Sequence, residues 1–274
     1  MRISKKTKLW AILCIFAGVN AACAKDLITG KKTLNYFKLS NEPKLGKQVL
    51  NSQLKALKKD KQKVDSKKNR TQLRRIRKIV KELAKVSHYP HFPYEAHLAD
   101  VPIVNAWCAP GGKIMVYEGL WHHKKGLVNK SDDNQLAAVL AHEIAHATAR
   151  HVTESLSRIM TLAIAGTVAH SAIASGSAEG ADLFGRVFSD GFNLFVPSYS
   201  RKNELEADKL GLFYMAKAGY DPRAAVKLWE KAAKKNKQAN SLYASHPASG
   251  VRAKTLREYL PTVMKIYRQN KRSK

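Results

Sequence analysis

Three scarcities bound this chain before any motif is read. Only Cys14, Cys23 and Cys108 carry a thiol among 274 residues, and the first two fall in an N-terminal segment that reads as an export signal. Cys108 is then left alone, which excludes an internal disulfide framework. Acidic residues are the second scarcity, with 21 Asp and Glu against 49 Lys and Arg and a formal net charge of +28. Such a balance favours anionic partners over acidic self-solvation. Long apolar runs are the third: none reaches the ~20 residues of a membrane-spanning helix. With 45% hydrophobic residues and no internal repeat, the chain can bury one sizeable core and does not read as a solenoid.

The N-terminus carries Arg2, Lys5, Lys6 and Lys8, then apolar Leu9 to Val19, then Ala21, Ala22 and Ala24. That three-part pattern predicts a secretory signal over residues 1–24. Cleavage after Ala24 satisfies the small-residue rule. Cleavage before Cys23 would instead leave a lipoprotein anchored through that cysteine, although Asn20 stands where such signals usually carry Leu. Residues 25–41 read as a linker. Cys108 lies in an apolar stretch with no neighbour that would lower its pKa, so it reads as a small buried hydrophobe and not a nucleophile.

Much of the positive charge is local. Residues 44–86 hold sixteen Lys or Arg against Asp60, Asp65 and Glu82. Leu54, Leu57, Leu73, Ile76, Ile79, Val80 and Leu83 recur among them at helical spacing, which predicts two amphipathic helices with basic outer faces. A solvated face is the simpler reading. In an exported protein the alternative partner is an anionic membrane surface, and no nucleic acid is expected.

What the chain does have is His142-Glu143-Ile144-Ala145-His146. On a helix this places two imidazoles one turn apart on one face, where both can ligate one Zn²⁺, and sets Glu143 beside the first as a general base toward a water. Asn134 to Leu140 leads in with strong helix formers, and Ser131, Asp132 or Asp133 can cap the first turn. Catalytic zinc usually takes three protein ligands. The best third donor lies about sixty residues on in Arg201-Lys202-Asn203-Glu204-Leu205-Glu206-Ala207-Asp208, where Ser198 or Ser200 can open a second helix. Glu204 and Asp208 share a face at i and i+4. Glu204 as ligand would leave Asp208 to accept a hydrogen bond from the outer nitrogen of a ligating histidine. Glu206 points elsewhere and reads as part of a solvated face.

Upstream, Tyr94–Leu98, Val101–Cys108 and Lys113–Glu118 read as three short strands, with Ala109-Pro110-Gly111-Gly112 as the turn between the last two. Together with Asn105-Ala106-Trp107-Cys108-Ala109-Pro110-Gly111-Gly112-Lys113, the HEIAH and E-x-E-A-D segments resemble the HtpX and type I CAAX prenyl protease family of zinc metallopeptidases, peptidase family M forty-eight. The resemblance covers about residues 42–260 and is nearest the periplasmic and mitochondrial inner-membrane quality-control branches. It implies a mostly helical α+β, zincin-like fold with a small three-stranded sheet. It implies one Zn²⁺ per chain on His142, His146 and Glu204, Glu143 as general base, and one strand of the sheet as the edge that receives an extended substrate.

The resemblance also implies roles for Ser245-His246-Pro247 and for Arg252, six residues past that histidine. On the residues alone, a His before Pro and an Arg opening a helix can be surface groups. Functionally, either can stabilise an oxyanion beside the metal; the resemblance implies for His246 the alternative of sitting on the metal and holding the enzyme latent. Between the two ligand helices, Ile159–Ser175 reads as a packed or amphipathic helix. A Gly-punctuated stretch with Gly176, Gly180, Gly185 and Gly191 follows, a gating insertion by resemblance.

The expected organisation is a metallopeptidase domain over 42–274: basic helices 44–86, sheet 94–118, active helix 131–151, insertion 153–197, third-ligand helix 199–218 and C-terminal helices 221–270. Gly219 ends the third-ligand helix, Asp221 caps the next and Pro222 takes its first turn. The expected function is that of an exported, periplasmic zinc endopeptidase acting on misfolded or misassembled envelope proteins. The alternatives are a chaperone or assembly factor with a plugged zinc site, and a basic surface-binding protein with structural zinc.

Overall fold

A computed structural model describes residues 23–25, 30, 32–121, 126–161, 199–234, 246 and 250–272. The expected signal core, most of the 153–197 insertion, Ser245 and Pro247 lie outside the described residues. Helix dominates: α1 (Glu42–Lys59), α2 (Arg70–Val86), α3 (Asp133–Thr148), α4 (Arg201–Ala218), α5 (Arg223–Lys234) and α6 (Gly250–Arg272). Two short strands, β1 (Cys23–Lys25) and β2 (Lys32–Leu34), pair antiparallel, and β3 (Glu95–Ala99), β4 (Ala106–Ala109) and β5 (Lys113–Tyr117) form the small mixed sheet.

In that sheet β5 is central, parallel to β3 with Ala96 opposite Ile114 and antiparallel to β4 with Cys108 opposite Ile114. Gly111 and Gly112 take φ of 69° and 80° between β4 and β5. That left-handed geometry suits a tight hairpin and glycine reaches it without strain. The strand expected from Val101 begins only at Ala106. Pro102 has no N–H to give a ladder, and the Asn105 N–H turns back to the Ile103 carbonyl at 3.0 Å. The outer side of β3 is bridged by Val64, with Asp65 N–H to Leu98 O and Asp100 N–H to Lys63 O, both 2.8 Å.

The core forms where α3 is surrounded by α2, α4, α5 and β4. Every residue from Leu136 to Thr148 is buried. A helix buried on all sides has no solvent face, so truncating Leu140 at its centre would cost about 2–5 kcal/mol. α4 lies close against α3 at Gly211, where a Cβ would lie 3.3 Å from His142 N. The missing side chain lets the two helix backbones meet beside the active motif. On α1 and α2, Leu50, Ile76, Ile79 and Leu83 turn inward and the Lys and Arg outward.

The stretch read as linker does more than connect. β1 spans the expected cleavage point after Ala24 and begins at the other, at Cys23, and after β2 the Asn35 side chain donates to Thr153 Oγ1 at 2.9 Å while Tyr36 N–H donates to Ser157 Oγ at 2.9 Å. Tyr36 Oη meets Thr161 Oγ1 at 2.7 Å. These partners lie on helical residues 151–161, so contacts more than a hundred residues apart in sequence hold the segment down.

Candidate metal centre and active site

Asp132 starts α3. Its carboxylate accepts the N–H groups of Asn134 at 2.9 Å and Gln135 at 3.1 Å, an N-cap that satisfies two orphan donors. Ser200 starts α4 in the same way, accepting from Asn203 N–H at 3.2 Å. Each cap fixes where its helix begins and so which residues face the other helix. His142, Glu143 and His146 come from α3 and Glu204 and Asp208 from α4, all 3% exposed or less. Burying that many ionisable groups is tolerable only when they answer one another.

They do. His142 Nε2 and His146 Nε2 lie 3.0 Å apart, and His246 Nδ1 lies 3.2 Å from the former and 2.9 Å from Glu204 Oε1. Glu204 oxygens stand 3.4 Å from both His142 Nε2 and His146 Nε2. One donor atom from each of His142, His146, Glu204 and His246 falls within 4.8 Å of all the others. The outer nitrogens face other partners: His142 Nδ1 is 3.0 Å from Asp208 Oδ1, within ion-pair reach though bent from hydrogen-bond alignment, and His146 Nδ1 is 2.9 Å from His151 Nδ1. With protons assigned to the outer nitrogens, the inner Nε2 lone pairs converge. Two converging lone pairs repel unless a cation lies between them, and an N,N,O set of this kind suits Zn²⁺.

Charge reinforces the cluster. Burial opposes ionisation of Glu204, yet His246, Arg252 and the two α3 imidazoles hold its carboxyl well below the usual range. Burial likewise works against a charged His142, but Asp208 and Glu204 raise it to about 9, so a metal ion would take its Nε2 position by displacing a proton. His146 is pushed well below its ordinary value, chiefly by burial. Burial raises Glu143 above the usual carboxylate range, against the pull of His246 and His142. Glu143 Oε1 has no hydrogen-bond partner among the described residues and lies 3.5 Å from His246 Nε2.

Arg252 does not project freely into this space. Its Nε and Nη2 each lie 2.7 Å from an oxygen of Asp208, its Nη1 reaches Glu204 Oε2 at 2.6 Å, and its guanidinium sits 4.0 Å over the Trp229 ring. A fork of this geometry aligns both carboxylates at once. Trp229, brought in by α5, also packs on His142 with ring centroids 4.9 Å apart.

The structure therefore gathers all seven residues singled out in sequence. One reading is corrected: Glu206 is not solvated but 7% exposed, with Oε2 3.3 Å from His151 Nε2. Its side of α4 faces residue 151 of a neighbouring segment, which local periodicity cannot reveal. Tyr199, stacked on His146 at 3.9 Å and 21°, was also missed. It stands one residue before the helix cap, outside any periodic pattern. Cys108 is buried at 3% exposed and desolvation pushes its thiol well up, in line with an inert hydrophobe.

Fold and site together define a helical metallopeptidase. Residues 70–260 match the model of peptidase family M48, and the chain belongs to that family. It is 37% identical over 179 residues to "Mitochondrial metalloendopeptidase OMA1" of Arabidopsis thaliana, covering 64% of this chain and 34% of that protein. The OMA1 of Schizosaccharomyces pombe is 40% identical over 173 residues, 61% of this chain and 47% of its own length. "Beta-barrel assembly-enhancing protease" of Escherichia coli is 31% identical over 133 residues, 47% of this chain and 26% of that protein. The chain thus spans half or less of the length of these relatives.

Proposed function

We propose that this protein is an exported, periplasmic endopeptidase that uses one Zn²⁺ per chain to hydrolyse misfolded or misassembled envelope proteins. The observation that carries the reading is a buried Glu143 with an unpartnered oxygen beside converging donors of His142, His146 and Glu204. The substrate class is supported by relatives named for β-barrel assembly and by the signal-like N-terminus; others of its relatives are named as mitochondrial. Among the described residues no helix is long and apolar enough to cross a membrane. Attachment to a membrane would rest on Cys23 or on the basic face meeting anionic lipid.

Bound to His142, His146 and Glu204, the ion would polarise the scissile carbonyl and acidify a water. Glu143 takes the proton of the attacking water at Oε1 and returns it to the leaving amine. A carboxyl whose pKa burial has raised is matched to holding a proton between those two transfers. Asp208 fixes the His142 ring, and Arg252 holds Asp208 and Glu204 in register. An extended substrate would lie along β4, the end strand that packs on α3.

A second reading is favoured by one observation. His246 stands among the donors as a fourth, and four protein ligands leave no position for water. We read this arrangement as latent, with His246 leaving on activation. A purely structural zinc would explain the four donors but gives the buried Glu143 no task.

Zinc content measured beside casein cleavage tests both readings. Glu143→Gln should keep zinc and lose about a hundredfold or more of turnover, whereas His246→Ala should cleave faster than wild type at equal zinc. Wild-type turnover in Glu143→Gln would end the catalytic assignment. An inactive His246→Ala would end latency and leave that histidine a transition-state role. Zinc-loaded protein that cleaves nothing in any form would favour a chaperone or assembly factor.

A further inference from the structure

α3 does not run on as the sequence suggests. It was expected to reach 151, but it stops at Thr148, and Arg150 adopts φ of 62°, a left-handed conformation that costs a non-glycine residue energy. The surroundings hold it there: Arg150 Nε donates to Glu42 Oε1 at 2.7 Å in a buried pair, its Nη2 donates to the Phe37 carbonyl, and Thr153 Oγ1 donates to the same Glu42 oxygen at 2.8 Å. In an unbroken helix His146 and His151 would be about 140° apart around the axis and could not meet. The break turns His151 back beneath His146.

The resulting contacts form a chain. His151 is 1% exposed, its Nδ1 is 2.9 Å from His146 Nδ1 and its Nε2 is 3.3 Å from Glu206 Oε2. One proton assignment satisfies every link. His146 Nδ1–H donates to the lone pair of His151 Nδ1, His151 Nε2–H donates to the Glu206 carboxylate, and His146 Nε2 keeps its lone pair toward Glu204 and His142.

We infer that His151 and Glu206 are positioning residues for the metal site, a two-member relay that fixes the tautomer and ring plane of His146, and that the strained Arg150 held by Glu42 exists to place it. The inference rests on the zinc reading above. It gives His146 the support that Asp208 gives His142, through an intervening imidazole. It also assigns a task to Glu42 and Arg150, which lie in no part of the site itself.

The test measures zinc affinity by chelator competition, with the thermal stability of each metal-free variant alongside. His151→Ala removes the acceptor and should weaken zinc about tenfold or more. His151→Asn, whose Oδ1 takes the place of Nδ1, should recover most of that loss although it cannot reach Glu206. Glu206→Gln can still accept from His151 without a charge and should fall between. Metal-free melting temperatures should not follow this order. The relay is overturned if His151→Ala binds zinc as tightly as wild type, or if His151→Asn is as weak as His151→Ala. It is also overturned if affinity merely tracks metal-free stability. Wild-type protein that binds no zinc would overturn the functional reading itself, an outcome distinct from the others.

Discussion

Arg252 and Arg74 carry the same guanidinium in opposite settings. Arg252 is 3% exposed, locked between Asp208, Glu204 and Trp229, while Arg74 lies exposed on the outer face of α2 among other cations. Around Arg252 the side chains are buried, so Asp208 and Glu204 answer the guanidinium directly, and removing one strands the rest. Along residues 44–86, which hold α1, α2 and their connection, solvent screens the charges, so sixteen cations crowd together at little cost. Burial, more than residue type, decides what an ionisable group does here.

The largest expected effect sits at the buried extreme. Arg252→Ala leaves Asp208 and Glu204 without their counter-charge and should destabilise the fold by about 3–5 kcal/mol, as broken buried ion pairs do. Denaturant unfolding of the metal-free protein measures it. A loss under about 1 kcal/mol would show that water reaches the cluster and would weaken the contrast.

Between the extremes lies His97, 16% exposed at its side chain, with Nδ1 2.8 Å from Asp65 and Nε2 3.0 Å from Glu95. The hydrogen bond to Asp65 is the chief cause of its raised pKa, aided by Glu95. A raised histidine stabilises fully below its unfolded value near 6.5, and the contribution is lost as pH rises through the folded pKa. Lys47 and His97 overcome the opposing desolvation and lower Glu95 to about 2, and hydrogen bonds from His97 and Leu98 lower Asp65. Those two contribute above their unfolded values and fade as pH falls through their folded ones. His97→Gln should therefore cost most near pH 5, about 1 kcal/mol or less after screening, and least above pH 8. Urea midpoints at the two pH values decide it; an equal cost at both would remove charge from the explanation.

The smallest effect belongs to the exposed face. Replacing Lys55, Lys59, Lys78 and Lys81 by Gln should shift stability by less than about 0.5 kcal/mol per site. The same variant separates a solvated face from one that docks on lipid, since each lost cation would weaken binding to anionic vesicles by about 1 kcal/mol.

Sequence legibility followed the same divide between local and distant causes. His142 with His146, and Glu204 with Asp208, were readable because i and i+4 share a face whatever surrounds the helix. So was the Gly111-Gly112 turn, and each cap was readable to within a few residues: Asp132 stood among Ser131, Asp132 and Asp133, and Ser200 beside Ser198. Glu206 was misread because its direction around α4 was local while the imidazole it meets is not. The break at Arg150 carries no Gly or Pro to announce it in Ala149-Arg150-His151; Glu42, 108 residues away, holds it. The anchoring of Asn35 on Thr153 was hidden for the same reason.

The convergence of His142 and His246 across 104 residues of sequence has a consequence for the unfolded chain. A shared ion would tie the two positions into one loop, a constraint the solitary Cys108 cannot provide. With Glu204 on the same ion, the loop that His246 adds is the one from Glu204, 42 residues long, and by the chain-entropy measure used for disulfides a loop of about that size is worth roughly 4 kcal/mol in the unfolded chain. Coordination by His246 would thus act as a removable staple. Its release on activation would free the site and, in the same step, lift that constraint from the unfolded ensemble, so the activated form would stand closer to unfolding than the latent one.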